Sequence, residues 1–170
     1  RLSGADDRKK LADTPWLFRE TNVPETAIVV PRHSTKDRKY IPFGFIGREM
    51  ILTDAAMCIP NAGIYEFGIL ESNVHMAWMR AIGGRIKSDY RYSKDIVYNN
   101  FPWPTPNEHQ KVRIEQTSQA ILDARALYPD SSLADLYDEL TMPPELRKAH
   151  QANDRAVMDA YGFTKGTAAR

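Results

Sequence analysis

The sequence predicts an α+β fold: a small mixed, mainly antiparallel β domain with one inserted helix, followed by a helical C-terminal region. Residues 1–104 contain short β-branched or aromatic runs separated by turn formers, whereas residues 105–170 show helical periodicity. Between them, Phe101 to Pro106 carries prolines at alternate positions, which force an extended backbone and exclude a helix. We therefore expect two domains, residues 1–104 and residues 105–170.

Short apolar runs are the strand candidates of the first domain. Ala27–Val30 is a β-branched run that ends at Pro31. Tyr40–Ile46 alternates large apolar residues with turn formers, as an edge strand does. The remaining candidates are Met50–Leu52, Met57–Ile59, Tyr65–Leu70 and Ile96–Tyr98.

One helix is expected inside this β domain. Ser72 is a suitable N-cap for a helix that runs to Ile82, and Gly83 could end it in a left-handed conformation. The residues predicted to share its apolar face are Val74, Trp78 and Ala81.

Three amphipathic helices are expected after the prolines. The first covers Glu108–Tyr128, the second is capped by Ser132, and the third starts at Pro143-Pro144 and stops at Gly162. Their predicted inward positions are Val112, Ile114, Ile121, Ala124 and Leu127, then Leu133, Leu136, Tyr137 and Leu140, then Leu146, Ala149, Val157, Ala160 and Tyr161.

Composition limits the class of protein. The formal net charge is +1, but residues 1–104 carry 15 Lys and Arg against 12 Asp and Glu, so the first domain is mildly basic and the second mildly acidic. The single cysteine, Cys58, excludes an internal disulfide, fits a reducing cytoplasm of bacterial or archaeal type and is predicted to be a buried, inert thiol. We expect no membrane partner, because apolar runs are short. The first residue is Arg1, which suggests a piece of a longer polypeptide.

The most informative segment is Met79–Lys94, which holds five cationic side chains, two tyrosines and a single acid. In an extended segment, Lys87, Asp89 and Arg91 would all point to the same side. Lysine and arginine suit the acceptors of guanine, and aspartate can accept from the amine of cytosine. The alternation therefore predicts that these three residues read DNA bases.

Other residues of the first domain are candidates for contacts with the DNA backbone or for shaping the binding loop. A second basic cluster covers Arg32–Lys39, where a solvated turn is the competing interpretation. Ser88 and Tyr90 are expected to face the domain, opposite the base-reading side. The full set of backbone-contacting or loop-shaping candidates is Arg32, Lys36, Arg38, Arg80, Arg85, Ser88, Tyr90, Tyr92 and Lys94.

No catalytic or metal-binding pattern is recognisable. A phosphate-binding glycine loop is missing, and one cysteine with four scattered histidines does not form a zinc cluster. His33-Ser34 would be half of a hydrolase site, but no nucleophile elbow surrounds Ser34. His150 is interpreted as a capped or solvent-sharing side chain. We expect no catalytic residue and no cofactor in this chain.

Long motifs of the chain resemble one family. Gly84–Ser93, followed by Val97–Pro104, is similar to the end of the target recognition domain of MmeI-like (type IIL) restriction-modification enzymes and related adenine-specific DNA methyltransferases. Further similar stretches are Arg38–Phe45, Tyr65–Leu70, Leu133–Tyr137 continuing to Met142-Pro143, and the last helix, Leu146–Phe163.

This resemblance implies a sequence-specific double-stranded DNA recognition module. The parent enzyme would methylate the exocyclic amine of adenine with S-adenosylmethionine, and magnesium would be needed if it also carries a nuclease. In the family, the positions matching Lys87, Asp89 and Arg91 are implicated in reading base pairs, and the Asp54-Ala55 region aligns with another reading segment. The implied partners are double-stranded DNA and the methyltransferase domain of the same chain. A protein-docking module without base reading stays open as the alternative.

Overall fold

The computed structural model describes residues 24–50 and 52–163, and in them the α+β prediction is confirmed. Two three-stranded antiparallel sheets are followed by a helical C-terminal region. The strands are β1 (Thr26–Pro31), β2 (His33–Ser34), β3 (Gly44–Gly47), β4 (Ala56–Pro60), β5 (Gly84–Ile86) and β6 (Asp89–Arg91). The helices are α1 (Ile64–Leu70), α2 (Asn73–Ile82), α3 (Glu108–Ala126), α4 (Leu133–Leu136) and α5 (Pro144–Ala160).

The first sheet has the order β3-β1-β4, with β1 in the centre. Ile28 lies opposite Phe45 on one side and Ile59 on the other. Ala27, Ile28 and Val30 are fully or almost fully buried, which explains why the sequence of this strand is a continuous apolar run. The predicted strands Ala27–Val30 and Met57–Ile59 are confirmed.

The second sheet has the order β2-β6-β5 and adjoins the first through Arg32. The Arg32 amide donates a hydrogen bond to the carbonyl of Ala55 over 3.0 Å, and its carbonyl accepts one from the Tyr92 amide over 2.8 Å. Because a single residue between β1 and β2 bonds to both sides, the two sheets hold a fixed position relative to each other.

Helix α2 starts where the sequence predicts but buries a different face. The Ser72 hydroxyl accepts from the His75 amide, and Ser72 is the N-cap as expected. The buried residues of the helix are His75, Met76 and Met79, whereas the predicted face centred on Trp78 is only partly covered. Trp78 is half-buried, and its indole donates to the carbonyl of Val97 over 2.9 Å.

Gly83 ends α2 by a close approach rather than by a left-handed turn. Its backbone is extended, with φ −64° and ψ 144°, so the predicted left-handed stop is wrong. A Cβ atom at this position would lie 2.4 Å from the carbonyl oxygen of Met79, which explains why glycine occupies it.

Four predicted strands differ from the structure wholly or in part. Tyr65–Leu70 belongs to α1, where Phe67, Ile69 and Leu70 are completely buried, and the β-type composition hid this short helix. Ile96–Tyr98 lies in a π-helical turn, Lys94–Tyr98. Of Tyr40–Ile46, the part before Gly44 has no regular structure. Met50 and Leu52 are not in a strand, and Ile51 between them lies outside the described residues.

The C-terminal helices begin at the predicted signals. Asn107 and Gln110 form a reciprocal capping box for α3, with distances of 2.9 and 3.0 Å, and Ser132 caps α4. Pro144 is the first residue of α5, and Gly162 follows the helix with φ +72°. Four of the predicted inward residues are instead exposed: Val112, Leu127, Leu133 and Leu140.

These helices share a core with the first part of the chain. Ile121 and Leu146 belong to the same buried cluster as Ile28, Phe43 and Phe67. Polar contacts support this packing, because the Asn153 amide group donates to the carbonyl of Gly68 over 2.7 Å. The described C-terminal helices therefore support the sheets and helices that precede them.

The contact between α1 and α3 depends on Gly68. A Cβ atom there would lie 1.8 Å from the Ser118 hydroxyl oxygen and 3.0 Å from Cγ2 of Ile114. Ser118 is completely buried, and its hydroxyl donates to the Ile114 carbonyl over 2.6 Å, so it cannot move aside easily.

We therefore expect Gly68→Ala to lower the free energy of unfolding by about 1–3 kcal/mol, although alanine favours a helix over glycine. Urea denaturation followed by circular dichroism measures this change. The double variant Gly68→Ala/Ser118→Gly removes the contact with the Ser118 side chain and should regain part of the loss, because glycine inside α3 itself costs about 1 kcal/mol. Equal stability of Gly68→Ala and the unmodified chain would contradict the close-packing explanation.

Candidate nucleic-acid interface

The basic segment predicted from the sequence forms a β hairpin. Strands β5 and β6 are antiparallel, with Ile86 opposite Asp89, and the two-residue turn Lys87-Ser88 joins them. Lys87 has φ +56°, in the left-handed region that two-residue hairpin turns require. The turn therefore presents the Lys87 side chain at the tip of the hairpin.

Two of the three predicted base-reading residues share one face. Asp89 and Arg91 are exposed on β6, and Tyr90 between them is buried, as the alternation predicts. Lys87 does not share their face through strand alternation, because it lies in the turn. The expectation that Ser88 points into the domain is also wrong, since Ser88 is an exposed turn residue.

Arg85 and Tyr90 support each other across the hairpin. They are register partners, and the Arg85 guanidinium lies 4.4 Å from the centre of the Tyr90 ring. Arg85 Nη1 also donates to the carbonyl of Ser88 over 3.1 Å. These contacts hold an exposed cation along the hairpin while leaving further guanidinium N–H groups available.

Tyr92 connects the hairpin to α2. Its hydroxyl lies 2.9 Å from Nε2 of His75, and both side chains are buried. Burial lowers the pKa of His75 to about 3 and raises the pKa of Tyr92, so both groups are neutral at pH 7. Because the Tyr92 amide also bonds Arg32, this buried pair fixes the strand that carries Arg91 beside Arg32.

Arg32, Arg91 and Lys94 line a single open cleft of about 570 Å³ beside the hairpin. Its other lining residues are Met57, Gly84, Tyr92, Ser93, Asp95 and Ile96. Lys94 lies 3.7 Å from Asp95, but both are largely exposed, so this ion pair is weak and exchangeable. Three cations against one acid make the lining of the cleft positively charged.

A second cleft of about 330 Å³ adjoins the first, and Met57, Tyr92 and Lys94 line both. It is mainly apolar and includes Cys58 and Ile59 of β4. Cys58 is exposed, so the prediction of a buried thiol is wrong. Cys58 lies on an edge strand, where side chains alternate between the two faces, and its own side chain is on the exposed face. The sequence did not show this, because all five residues of the run are apolar.

Three of the predicted phosphate-binding residues make contacts within the protein. Arg80 is half-buried, and its Nη2 donates to the Lys39 carbonyl over 3.0 Å. Arg38 Nη2 lies 3.5 Å from the carbonyl oxygen of Ala134 in α4. Lys36 Nζ pairs with Asp37 over 2.5 Å on the exposed surface. Arg80 and Arg38 therefore contribute to packing, whereas Lys36 remains on the surface.

The hydrolase interpretation of His33-Ser34 does not fit the structure. These consecutive residues lie on β2, where His33 is exposed and Ser34 is buried, so their side chains point to opposite faces. Within residues 24–50 and 52–163, no group of three or more His, Cys, Asp and Glu side chains could hold a metal ion.

A buried polar network, which the sequence did not reveal, joins α3 to the first part of the chain. Arg125 Nη2 lies 2.6 Å from Oε1 of the fully buried Glu71, and Arg125 also donates to the carbonyl of Phe43 over 2.7 Å and to the Tyr137 hydroxyl. Glu71 Oε1 accepts from the Phe43 amide over 2.7 Å. Burial raises the pKa of Glu71 to about 7 against the opposing charge of Arg125.

His150 belongs to this network, so its interpretation as a solvent-sharing residue is wrong. It is fully buried, stacks on Tyr40 with ring centres 4.1 Å apart, and lies 2.7 Å from the Tyr137 hydroxyl. Burial, with the nearby Arg125 charge, lowers the pKa of His150 to about 3. Its neighbour Asp154 accepts from the Tyr40 hydroxyl and from the Asn73 amide, each over 2.7 Å.

An α+β domain that presents a rigid hairpin beside a cationic cleft has the charge and shape of a nucleic-acid-binding protein. Comparison with known families identifies it further. Residues 1–105 match the model described as the MmeI target recognition domain, and residues 106–170 match the MmeI C-terminal domain. The chain belongs to the MmeI family.

Two relatives are similar along most of the chain. DNA methyltransferase A of Bacillus subtilis (strain 168) is 45% identical over 153 residues, which are 89% of this chain and 17% of that protein. The solved structure of the type IIL restriction-modification enzyme MmeI in complex with DNA is 45% identical, with a TM-score of 0.90 over 99% of this chain. This chain spans 23% of that structure's chain, and thus less than a quarter of either relative.

No helix of the described ranges is both long and apolar enough to cross a membrane.

Proposed function

We propose that this chain is the double-stranded DNA recognition module of an adenine-specific DNA methyltransferase that acts on the exocyclic amine. The observation that carries the proposal is the cationic cleft beside the β5–β6 hairpin in a member of a family whose solved structure holds DNA. A duplex would meet exposed Arg, Lys and Asp side chains held by buried tyrosines, which suits contact with phosphates and base edges.

The site residues fall into two groups in this proposal. Asp89 and Arg91 on β6, with Lys87 at the hairpin tip, read base edges. Arg32, Lys94, Arg85 and Lys36 contact phosphates, because the charged ends of these residues are exposed. Ser88, Tyr90 and Tyr92 shape the hairpin. Arg38 and Arg80 shape the binding surface, since both guanidinium groups already bond to carbonyls.

Catalysis belongs, in this proposal, to parts of a longer protein. The chain contains neither the Asp/Asn-Pro-Pro-aromatic tetrapeptide nor the glycine-rich cofactor loop of adenine methyltransferases, so its residues do not fit S-adenosylmethionine. The cofactor would bind a methyltransferase domain elsewhere in the same protein, and magnesium would be required if a nuclease accompanies it. A cytoplasmic location and a division into domains 1–104 and 105–170 are part of the proposal.

Salt dependence of duplex binding tests the proposal. We expect the chain to bind a random-sequence duplex with an affinity that falls steeply between about 50 and 200 mM salt, because cations that contact phosphates release counterions. Lys94→Ala and Arg32→Ala should each reduce the slope of log affinity against log salt concentration by about 1. Lys148→Ala is the matched control, since Lys148 is exposed on α5, which packs against other helices.

Fluorescence anisotropy with a labelled duplex measures these slopes. If the slope of Lys94→Ala equals that of Lys148→Ala and of the unmodified chain, the cleft is not a phosphate site. Binding of a methyltransferase domain without any duplex affinity would favour the docking-module alternative.

A further inference from the structure

Asp89 lies where the two basic segments of the sequence meet. Strand β2 pairs with β6 through His33 opposite Arg91 and Ser34 opposite Tyr90, so the register places Asp89 beside the residue that follows β2. Its Oδ1 accepts a hydrogen bond from the Lys36 amide over 3.2 Å, although the two residues are 53 positions apart. The single acid of the Met79–Lys94 segment thus bonds the other basic segment.

The bond falls on the turn that follows β2. The Arg38 amide lies 3.4 Å from the Thr35 carbonyl, so Thr35–Arg38 is a four-residue turn with Lys36 at its second position. Strand β2 ends at Ser34, so the Lys36 amide is not part of the sheet ladder. A charged acceptor gives a stronger hydrogen bond than a neutral one, and Asp89 therefore holds the turn against β6.

We propose that Asp89 is a positioning residue that clamps the Thr35–Arg38 turn against the hairpin, so that Lys36 and β6 contact one duplex together. The inference rests on the proposed function. Oδ1 bonds the turn, and Oδ2 remains available to accept from a base amine. Residue 89 then determines both the base preference at one pair and the position of a phosphate contact.

Charge near the turn is consistent with this arrangement. Lys36 Nζ pairs with Asp37 when no DNA is present, and Asp89 adds to the negative field around this ammonium. Both partners of the Lys36–Asp37 pair are more than half exposed, so a phosphate can replace Asp37 at little cost. The backbone bond to Asp89 is independent of that exchange.

Hydrogen exchange of the Lys36 amide in the full chain tests the clamp without DNA. Asp89→Ala removes the acceptor and should speed exchange of this amide about tenfold, whereas Asp89→Asn keeps a weaker, neutral acceptor and should speed it by a smaller factor. The Tyr92 amide, which bonds Arg32, is the internal reference and should not change. Equal exchange at Lys36 in all three proteins overturns the proposal.

Duplex binding tests the second half of the inference. With a random-sequence duplex of about one to two helical turns, Asp89→Ala should lower the slope of log affinity against log salt concentration by about 1, as Lys36→Met should. Asp89→Asn keeps a neutral acceptor and should lower this slope less. Lys36→Pro removes the amide donor at a turn position that proline favours, whereas Lys36→Met keeps it. Asp89→Ala combined with Lys36→Pro should therefore weaken binding no more than Lys36→Pro alone.

The outcomes separate the clamp from the proposed function. Fully additive losses in the double variant, or an unchanged salt slope in Asp89→Ala, overturn the shared contact surface. If the unmodified chain binds no duplex, both the proposed function and the DNA contact of Lys36 are wrong. The hydrogen-exchange measurement then decides by itself whether Asp89 holds the turn.

Discussion

Replacing Arg125 with alanine is expected to lower the free energy of unfolding by about 3–5 kcal/mol, because it leaves a buried carboxyl group without its partner. The Glu71 side chain is completely buried, and the side chain of Arg125 is 9% exposed. The variant also removes the donors to the Phe43 carbonyl and the Tyr137 hydroxyl. Urea denaturation followed by circular dichroism measures the change.

Two controls make this prediction specific. Arg113→Ala removes the same side chain from an exposed position of the same helix and should change stability by less than about 0.5 kcal/mol. Adding Glu71→Gln to Arg125→Ala removes the buried charge and should regain part of the loss. An Arg125→Ala protein as stable as Arg113→Ala would show that the network contributes little to folding.

Stability is also expected to fall as the pH decreases from 6.5 to 5, by about 1 kcal/mol per pH unit. Burial lowers the pKa values of His75 and His150 to about 3. The stability that these two neutral histidines give the folded chain is therefore complete above pH 6.5 and is lost as the pH falls. Glu71 has the opposite effect, because its pKa is raised to about 7 in the folded chain. Its protonation therefore stabilises the folded chain as the pH falls. In this window the unfolded chain takes up two histidine protons and the folded chain one Glu71 proton.

Denaturation curves at several pH values measure this dependence. His75→Phe should remove one of the two histidine protons and flatten the profile between pH 6.5 and 5, even if it lowers stability at every pH. A stability that rises as the pH falls through this window would mean that the histidines are charged in the folded protein.

Local signals predicted much of the fold. The β-branched run of β1, the Ser72 cap and the prolines before α5 act within a few residues, and the structure has each of them where expected. The prediction for Tyr65–Leu70 is wrong because a short helix of aromatic and β-branched residues has the composition of a strand. Its close packing on α3 depends on Gly68 fitting against Ser118, a contact between residues 50 positions apart that no local pattern encodes.

The candidate site was predicted in its composition but not in its geometry. The cations and tyrosines of Met79–Lys94 were identified from residue types, and the alternation of Asp89, Tyr90 and Arg91 follows from strand periodicity. The turn at Lys87 requires a positive φ that lysine rarely adopts. The residue types therefore predict an extended backbone from Lys87 to Arg91 instead of a turn. The bond from Asp89 to Lys36 depends on pairing β2 with β6, which the sequence does not specify.

The exposure of Cys58 has a practical consequence. It is the single cysteine of the 170-residue sequence, and the cleft that it lines shares Lys94 with the cationic cleft. A maleimide dye should therefore attach at one place without any engineered residue, because the accessible thiol has no competitor in the chain. The chain thus carries a native labelling position beside its candidate binding surface, where a fluorophore can report the arrival of a duplex directly.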